Sequence, residues 1–371
     1  MPKLRFPALA LLFAAALMPG LFFLLPARGY SPKERRYLAE RPEVTLESLA
    51  GGELGEALEG YLSDHFPGRD FFVGVGAYWE LFTGRNTARA VYHCKDGYLI
   101  AAPETAGTGQ LQTNLERFDR FAEKTGLPAA LFLIPTAGDI LPEVLPARHA
   151  PYRYPECAAL AREVCANLEV LPLGEALSAA REEQIYYKTD HHLTSAGCYA
   201  AYSAFCRAKG REPLPRSAYT VTACEGFRGS SWASSGYWLA RPETLELWDA
   251  GQPLRVTIQD FDKEDISAES VFFTENLASD DWYTVFLDGN HPLVRIENPG
   301  AQGGKLLLVR DSYAHCLAPF LAADYQEVVL VDLRFYRLSV SELIGRFGIT
   351  ELGFVYGVDS LLTDTNSAWL D

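Results

Sequence analysis

Residues 305–314 read KLLLVRDSYA, a largely apolar run that leads directly into Arg-Asp-Ser. The run at 305–309 predicts a buried strand, and residues 313–323 predict the helix that follows it. Ser312 therefore lies at a turn between a strand and a helix. A serine hydroxyl is a poor nucleophile until an imidazole takes its proton and a carboxylate orients that imidazole, so this turn gains meaning only from partners elsewhere.

Such partner groups occur together in residues 186–197, which read YYKTDHHLTSAG. Asp190, His191 and His192 supply a carboxylate and two imidazoles in three consecutive positions. Side chains two residues apart in a turn can project to one side, so Asp190 and His192 share a site more easily than Asp190 and His191. Adjacent histidines also occur as metal ligands or loop residues, and those alternatives stay open at this point.

The composition is that of a folded, acidic protein. The chain has 371 residues, of which 48% are hydrophobic and 22% charged, and its formal net charge is −15. This charge repels nucleic acid, and no basic cluster compensates for it. Seven cysteines without a paired spacing indicate neither a disulfide framework nor a zinc site, and we interpret them mainly as buried apolar residues.

The N-terminal segment differs in kind from the rest of the chain. Lys3 and Arg5 precede a nearly uninterrupted apolar run at residues 6–27. Such a run predicts a signal anchor or a cleaved signal peptide over residues 1–27, followed by a polar stalk at 28–50. We therefore expect the protein on the extracytoplasmic side of the cell membrane, or secreted if the signal is cleaved.

The remainder, residues 51–371, predicts an α/β domain. Strand and helix patterns alternate in residues 129–200 and again in 305–371, which favours one parallel sheet with helices on both faces. Residues 213–300 are rich in aromatic residues and short alternating runs, and we interpret them as a β-rich insertion. Asp64 and His65 precede a Pro-Gly turn, where we favour a structural role.

Residues 186–197 and 305–314, together with several other short motifs, resemble the bacterial DHHW protein family. The resemblance extends over most of the chain beyond the N-terminal segment. It includes Ser31-x-x-Glu34, DHFPGR at residues 64–69, KDGYL at 95–99 and RDSY at 310–313. One position departs from the family pattern, because Leu193 stands where the family usually has tryptophan after the second histidine.

The DHHW family is similar to the SGNH-like acyltransferases, which include alginate O-acetyltransferases. Ordinary SGNH hydrolases carry the serine early and the Asp/His block at the end of the chain, whereas here the Asp/His block precedes Ser312. The resemblance therefore implies a three-layer SGNH-like parallel sheet that is circularly permuted, with the β-rich insertion and the N-terminal anchor added to it.

The resemblance also implies the roles of the site residues. Ser312 would be the nucleophile, His192 the general base and Asp190 the group that orients His192. The backbone N–H of Ser312 would donate to the oxyanion. Three neighbouring residues are expected to support the oxyanion hole or the surroundings of the triad: Asp311, Tyr313 and His191.

The leading functional hypothesis is an exported serine O-acyltransferase that acts on a cell-envelope or extracellular polysaccharide. Its partners would be a glycan hydroxyl, an acyl donor protein or small molecule, and the membrane; we expect no cofactor, metal or nucleic acid. An acetyl esterase of the same fold and a non-catalytic glycan-binding or assembly protein are the alternatives. A metal site at Asp190, His191 and His192, completed by a ligand such as His315, is the least favoured interpretation.

Overall fold

The computed structural model describes residues 17, 20–22, 24, 26–45, 47, 48, 51, 53–261 and 263–370. Most of the predicted anchor at residues 6–27 lies outside these residues. Within the described part of the chain, no helix is long and apolar enough to cross a membrane. The chain divides into two compact units, one ending at Arg89 but including Ala233–Leu239, and the other formed by the rest.

Where the structure gives the bounds of elements in the first unit, these are β1 (Tyr30–Ser31), β2 (Arg36–Tyr37), α1 (Glu53–Asp64), α2 (Arg69–Phe82) and β3 (Thr87–Ala88). Ion pairs join its segments, since Arg36 contacts Asp64 and Arg69 contacts Glu34. The α/β domain was predicted over residues 51–371, and this boundary stays a prediction; by their contacts, the residues up to Arg89 group with the preceding segment.

The second unit contains the large sheet. Its strands are β4 (Val91–His93), β5 (Leu99–Ala101), β6 (Ala129–Ile134), β7 (Glu169–Val170), β8 (Thr220–Phe227), β9 (Glu243–Asp249), β10 (Arg255–Gln259), β11 (Ile266–Ala268), β12 (Leu293–Glu297), β13 (Gly303–Arg310), β14 (Tyr325–Val331) and β15 (Glu351–Gly357). Among the described residues, eight of them form one sheet in the order β11-β10-β12-β14-β13-β15-β6-β7. β6 pairs with β15 in parallel, so the two halves of the alternating pattern share one sheet as predicted.

The helices of this unit are α3 (Gly109–Thr125), α4 (Ala137–Ile140), α5 (Tyr154–Val164), α6 (Leu173–Ala179), α7 (Ser195–Ala208), α9 (Ala314–Asp324), α10 (Val340–Phe347) and α11 (Val358–Thr363); α8 (Ser230–Ser235) crosses the boundary between the units. Short 3₁₀ helices lie at Lys95–Gly97, Pro142–Val144, Arg216–Ala218, Thr274–Ala278, Trp282–Val285 and Asn366–Trp369.

Strand residues alternate between two apolar cores, one on each face of the sheet. In β13, Leu306 and Leu308 pack with α6, α7 and α9, whereas Leu307 and Val309 pack with α3, α5, α10 and α11. This two-residue period is what a strand buried on both faces requires. The architecture is thus mixed α/β, with a large, mostly parallel sheet between two helical layers.

The sheet is not entirely parallel, because the predicted insertion contributes to it. Strands β10, β11 and β12 lie within residues 213–300 and extend the sheet beyond β14 by antiparallel pairing, with Leu293 opposite Val331. They satisfy the edge of β14, which would otherwise expose unpaired backbone groups. Strands β8 and β9 form a separate two-stranded ribbon. The circular permutation stays a prediction.

Candidate active site

Ser312 lies in the turn between β13 and α9, at the end of a central parallel strand. The carboxylate of the preceding Asp311 accepts hydrogen bonds from the backbone N–H of Tyr313 at 2.9 Å and of Gly357 at 2.8 Å. The Asp311 N–H donates to the carbonyl oxygen of Val355 at 3.0 Å. Asp311 thereby ties the turn to the end of β15 and fixes the position from which Ser312 projects.

The structure brings Ser312 together with Asp190 and His192 of the Asp/His block. His192 Nε2 lies 2.8 Å from Ser312 Oγ, and His192 Nδ1 lies 2.6 Å from Asp190 Oδ1. Both distances fall within hydrogen-bond reach, about 2.6–3.2 Å for such a pair. In the tautomer that suits both contacts, Nδ1–H donates to the carboxylate and the serine O–H donates to Nε2. These are the three residues to which the sequence analysis assigned the acid–base roles.

Asp190 is buried and held by backbone donors. Its Oδ1 accepts from the His192 N–H at 2.9 Å, and its Oδ2 accepts from the Ser230 N–H at 2.6 Å. Burial alone would raise the pKa of Asp190, but the charges of His192 and His191 and these hydrogen bonds bring it well below its usual value. Asp190 is therefore an ionised partner for the imidazole. The sequence pattern did not mark Ser230.

The loop that carries Asp190 is fastened by Glu243, the first residue of β9. Its carboxylate accepts from the N–H groups of Lys188 and Thr189, at 2.8 and 2.7 Å, and from the Thr189 hydroxyl at 2.6 Å. Gly229 is required beside this loop, because a Cβ there would lie 2.4 Å from Asp190 Oδ2. Gly229, between β8 and β9, and Glu243, in β9, therefore hold the Asp190 loop in place although both are distant from it in sequence.

Tyr283 stacks on the imidazole ring of His192. The Tyr283 and His192 rings are nearly parallel, with 3.8 Å between their centroids and an interplanar angle of 7°. The Tyr283 hydroxyl lies 3.5 Å from the carbonyl oxygen of Ser312. Tyr283 comes from the 3₁₀ helix Trp282–Val285 in the predicted insertion, and the sequence analysis did not identify it.

His191 lies beside the triad in a different environment. Its ring is partly exposed, and its Nδ1 lies 2.6 Å from Ser230 Oγ and 3.7 Å from Asp190 Oδ1. Its backbone carbonyl oxygen accepts from the Tyr313 hydroxyl at 2.9 Å. His192, and not His191, therefore makes the hydrogen bond to Ser312, while Tyr313 connects the serine turn to the Asp/His loop.

A buried arginine lies beneath the serine turn. Arg310 Nη1 donates to His315 Nε2 at 2.6 Å and to Asp332 Oδ2 at 3.1 Å. Burial and the Arg310 charge hold the pKa of His315 well below its usual range. The ligand atoms of Asp190, His191 and His192 lie within 4.8 Å of one another. His315, named above as an example of a further metal ligand, instead faces a guanidinium, an unfavourable neighbour for a cation.

A cavity of about 170 Å³ adjoins the site. Its walls come from β5, from the turns after β6 and β15, and from Asp190, His191 and Tyr313. Asp359 lies on this wall, and burial together with the Asp139 charge raises its pKa to about 6. A carboxyl group with such a pKa is partly protonated near neutral pH and is then a hydrogen-bond donor.

A Ser–His–Asp arrangement at the carboxyl edge of a mostly parallel α/β sheet is the arrangement found in serine acyl-transfer and hydrolase folds. Comparison with known proteins gives the relationship. Residues 160–331 match the family model described as DHHW protein, and the resemblance to that family is thereby confirmed. No curated protein matches the chain.

Solved structures share the fold. A DHHW family protein from Eubacterium siraeum is 22% identical with a TM-score of 0.65, and the match covers 76% of this chain and 94% of that chain. Bacillus cereus PatB1 with a sulfonyl adduct is 21% identical with a TM-score of 0.63, over 75% of this chain and 97% of PatB1. PatB1 without the adduct gives 20% identity and the same TM-score, over 73% and 97%.

Proposed function

We propose that the protein is an exported serine O-acyltransferase that modifies a hydroxyl of a cell-envelope or extracellular polysaccharide. One observation carries the proposal: Asp190, His192 and Ser312 form a continuous hydrogen-bonded chain with distances of 2.6 and 2.8 Å. The carboxylate is ionised and the imidazole faces both partners, which is the arrangement that an activated serine needs.

The reaction would run through an acyl-enzyme. His192 Nε2 takes the Ser312 proton as Oγ attacks the acyl carbonyl of the donor, and the negative charge on the carbonyl oxygen is stabilised by the Ser312 N–H. Asp190 stabilises the imidazolium, which then protonates the leaving group. In the second half, His192 deprotonates a sugar hydroxyl, which attacks the acyl-enzyme, and the proton returns to Ser312 Oγ.

A sulfonyl fluoride tests the nucleophile directly, because it sulfonylates activated hydroxyls with loss of fluoride. PatB1, a protein of the same fold, has been observed with a sulfonyl adduct, which supports the choice of reagent. We expect one stoichiometric adduct on Ser312, measured by intact mass and peptide mapping, and none in Ser312→Ala. The matched control is Ser360→Ala, which removes a hydroxyl from the wall of the adjoining cavity and should label normally.

Chromogenic acetyl esters then separate transfer from hydrolysis. Both activities share the acyl-enzyme, and they differ in whether a sugar hydroxyl or water resolves it. Added oligosaccharide should raise the rate of ester consumption and yield acetylated sugar detected by mass spectrometry. Acetate as the sole product with every glycan would favour an acetyl esterase. Absence of labelling and of turnover would leave a non-catalytic glycan-binding role.

Export rests on the sequence of residues 1–27, a basic start followed by an apolar run. We propose that this segment anchors the protein with residues 28–371 outside the cytoplasmic membrane. Protease added to intact, wall-stripped cells should digest the domain. Full protection would contradict the topology, and a mature protein that starts near residue 28 would contradict the anchor.

A further inference from the structure

We infer that one face of helix α2 rests in the headgroup region of the membrane that holds the N-terminal segment. The aromatic face, as we call it, consists of Phe71, Val75, Trp79 and Phe82 on α2 together with Leu239. This inference depends on the proposed anchor and is independent of the chemistry at Ser312.

The aromatic face is a continuous apolar stripe on the surface of the first unit. The α2 members follow one another at spacings of four, four and three residues, which places them along one side of a helix. Phe71, Trp79 and Phe82 are 68%, 61% and 81% exposed. Single exposed apolar side chains are ordinary, but a contiguous patch of large ones marks a site of contact with a membrane, a protein or a ligand.

The patch encloses a groove of about 860 Å³ whose floor is tightly built. Trp238 packs against Gly74 so closely that a Cβ at Gly74 would lie 2.6 Å from the indole. The Trp238 Nε1–H donates to the carbonyl oxygen of Asp70 at 2.8 Å. Lys33 lies at the rim, with its Nζ 5.5 Å from the centre of the Trp238 ring. An ammonium beside exposed aromatic rings suits the phosphate level of a bilayer.

The position of the chain after the predicted anchor argues for lipid as the occupant. Pro26 and Arg28, which flank the end of the apolar run, line a second cavity of the first unit together with Phe66 and Phe71. His65 Nε2 lies 3.1 Å from the Arg28 carbonyl oxygen. The end of the predicted anchor is therefore fixed beside the first residue of the aromatic face.

The charge of the protein indicates which lipid surface to use. A formal net charge of −15 opposes anionic headgroups, so attraction to the surface must come from burial of apolar and aromatic groups rather than from charge. Zwitterionic phosphatidylcholine vesicles are therefore the appropriate probe.

The test is depth-dependent quenching of tryptophan fluorescence in the full chain, reconstituted into phosphatidylcholine vesicles with bromine near the headgroup or near the chain end. We expect quenching that is stronger for the shallow bromine and that falls in Trp79→Phe, with any remainder coming from Trp238 in the floor of the groove. The matched control is Trp369→Phe in the second unit, where a comparably exposed indole, at 51%, stacks against Arg337. This variant should keep the lipid-dependent quenching.

Each other outcome has a definite meaning. If the chain does not float with the vesicles, the anchor fails, while sulfonyl labelling of Ser312 still reports on the catalytic proposal. If the chain floats and the quenching is unchanged in Trp79→Phe, the aromatic face does not touch lipid and the inference is overturned. Concentration-dependent self-association in detergent that Phe82→Asn abolishes would show a second copy as the occupant, which also overturns it.

Discussion

Two Asp–His pairs in this chain contain the same chemical groups and differ in their surroundings. Asp190 directs Oδ1 to the His192 ring at 2.6 Å. Asp64 directs Oδ2 instead to the Arg36 guanidinium, with 2.9 Å between Oδ2 and Nη1. His65, its sequence neighbour, places its ring nitrogens near backbone carbonyl oxygens. The first pair has the contacts that proton transfer from Ser312 would need, and the aspartate of the second fastens two segments of the first unit.

The difference lies in what neutralises the carboxylate. A guanidinium carries a permanent charge and occupies the oxygens of its carboxylate partner, so that carboxylate is not available to orient an imidazole. Backbone N–H groups carry no net charge, and they leave Asp190 ionised with the His192 ring as its hydrogen-bonded partner. An aspartate and a histidine that are close in sequence therefore indicate a catalytic pair only where no arginine forms an ion pair with the carboxylate.

The largest effect is expected from Asp190→Asn. The amide preserves the size of the side chain but favours the wrong imidazole tautomer, so kcat for a chromogenic acetyl ester should fall by about 10³–10⁴-fold. Asp64→Asn is the matched control, and it should leave kcat per folded molecule unchanged. Equal losses in the two variants would show that the pairs do not differ as their contacts indicate.

The pH dependence of the free energy of unfolding tests the structural role of Asp64. The hydrogen bond from Arg36 lowers the pKa of Asp64 to about 2, against the opposing effect of burial. A depressed folded-state pKa stabilises the fold above the unfolded-state pKa, and this contribution is lost as pH falls from about 4 towards 2. Denaturant unfolding should show a loss of about 1–2 kcal/mol across that range, part of which Asp64→Asn removes in advance. An unchanged pH profile in Asp64→Asn would contradict this assignment.

Much of this arrangement can be predicted from the sequence, because its strongest signals are local. An apolar strand followed by Asp-Ser and a helix, and a carboxylate two residues before an imidazole, are patterns that short segments carry by themselves. The Pro-Gly turn after His65 was likewise sufficient to favour a structural role for that pair. That residues 129–200 and 305–371 share one sheet was likewise predicted from the alternation of strand and helix patterns, and the pairing of β6 with β15 confirms it.

Tyr283 and the pairing of β12 with β14 could not be predicted in the same way. Nineteen tyrosines occur in the chain, and nothing in the residues around Tyr283 marks it as the one that stacks on His192. Strand β12 pairs with β10 of its own subdomain, and its second partner, β14, depends on an unpaired edge that forms only in the folded sheet. Both contacts are set by tertiary structure.

Tyr283→Leu tests whether this tertiary contact matters for the active pair. Loss of the parallel ring, a contact of about 0.5–1.5 kcal/mol, should free the imidazole plane and lower kcat by up to about tenfold with little change in KM. Tyr283→Phe keeps the ring and should retain most of the activity. If the leucine variant matches the original chain in kcat and in its pH–rate profile, the stack does not position His192.

The smallest effect is expected from His191→Ala, the second histidine of the block. The His191 ring contacts Ser230 and lies 3.8 Å from the centre of the His192 ring, and its backbone contacts Tyr313; the alanine variant loses the ring contacts and keeps the backbone one. One such hydrogen bond contributes about 1 kcal/mol, so kcat should fall by less than about fivefold, whereas His192→Ala should remove measurable turnover. Steady-state rates on a chromogenic acetyl ester compare the two variants directly. A loss in His191→Ala as large as that in His192→Ala would mean that both imidazoles handle the proton, and that the pair is Asp190 with two bases rather than one.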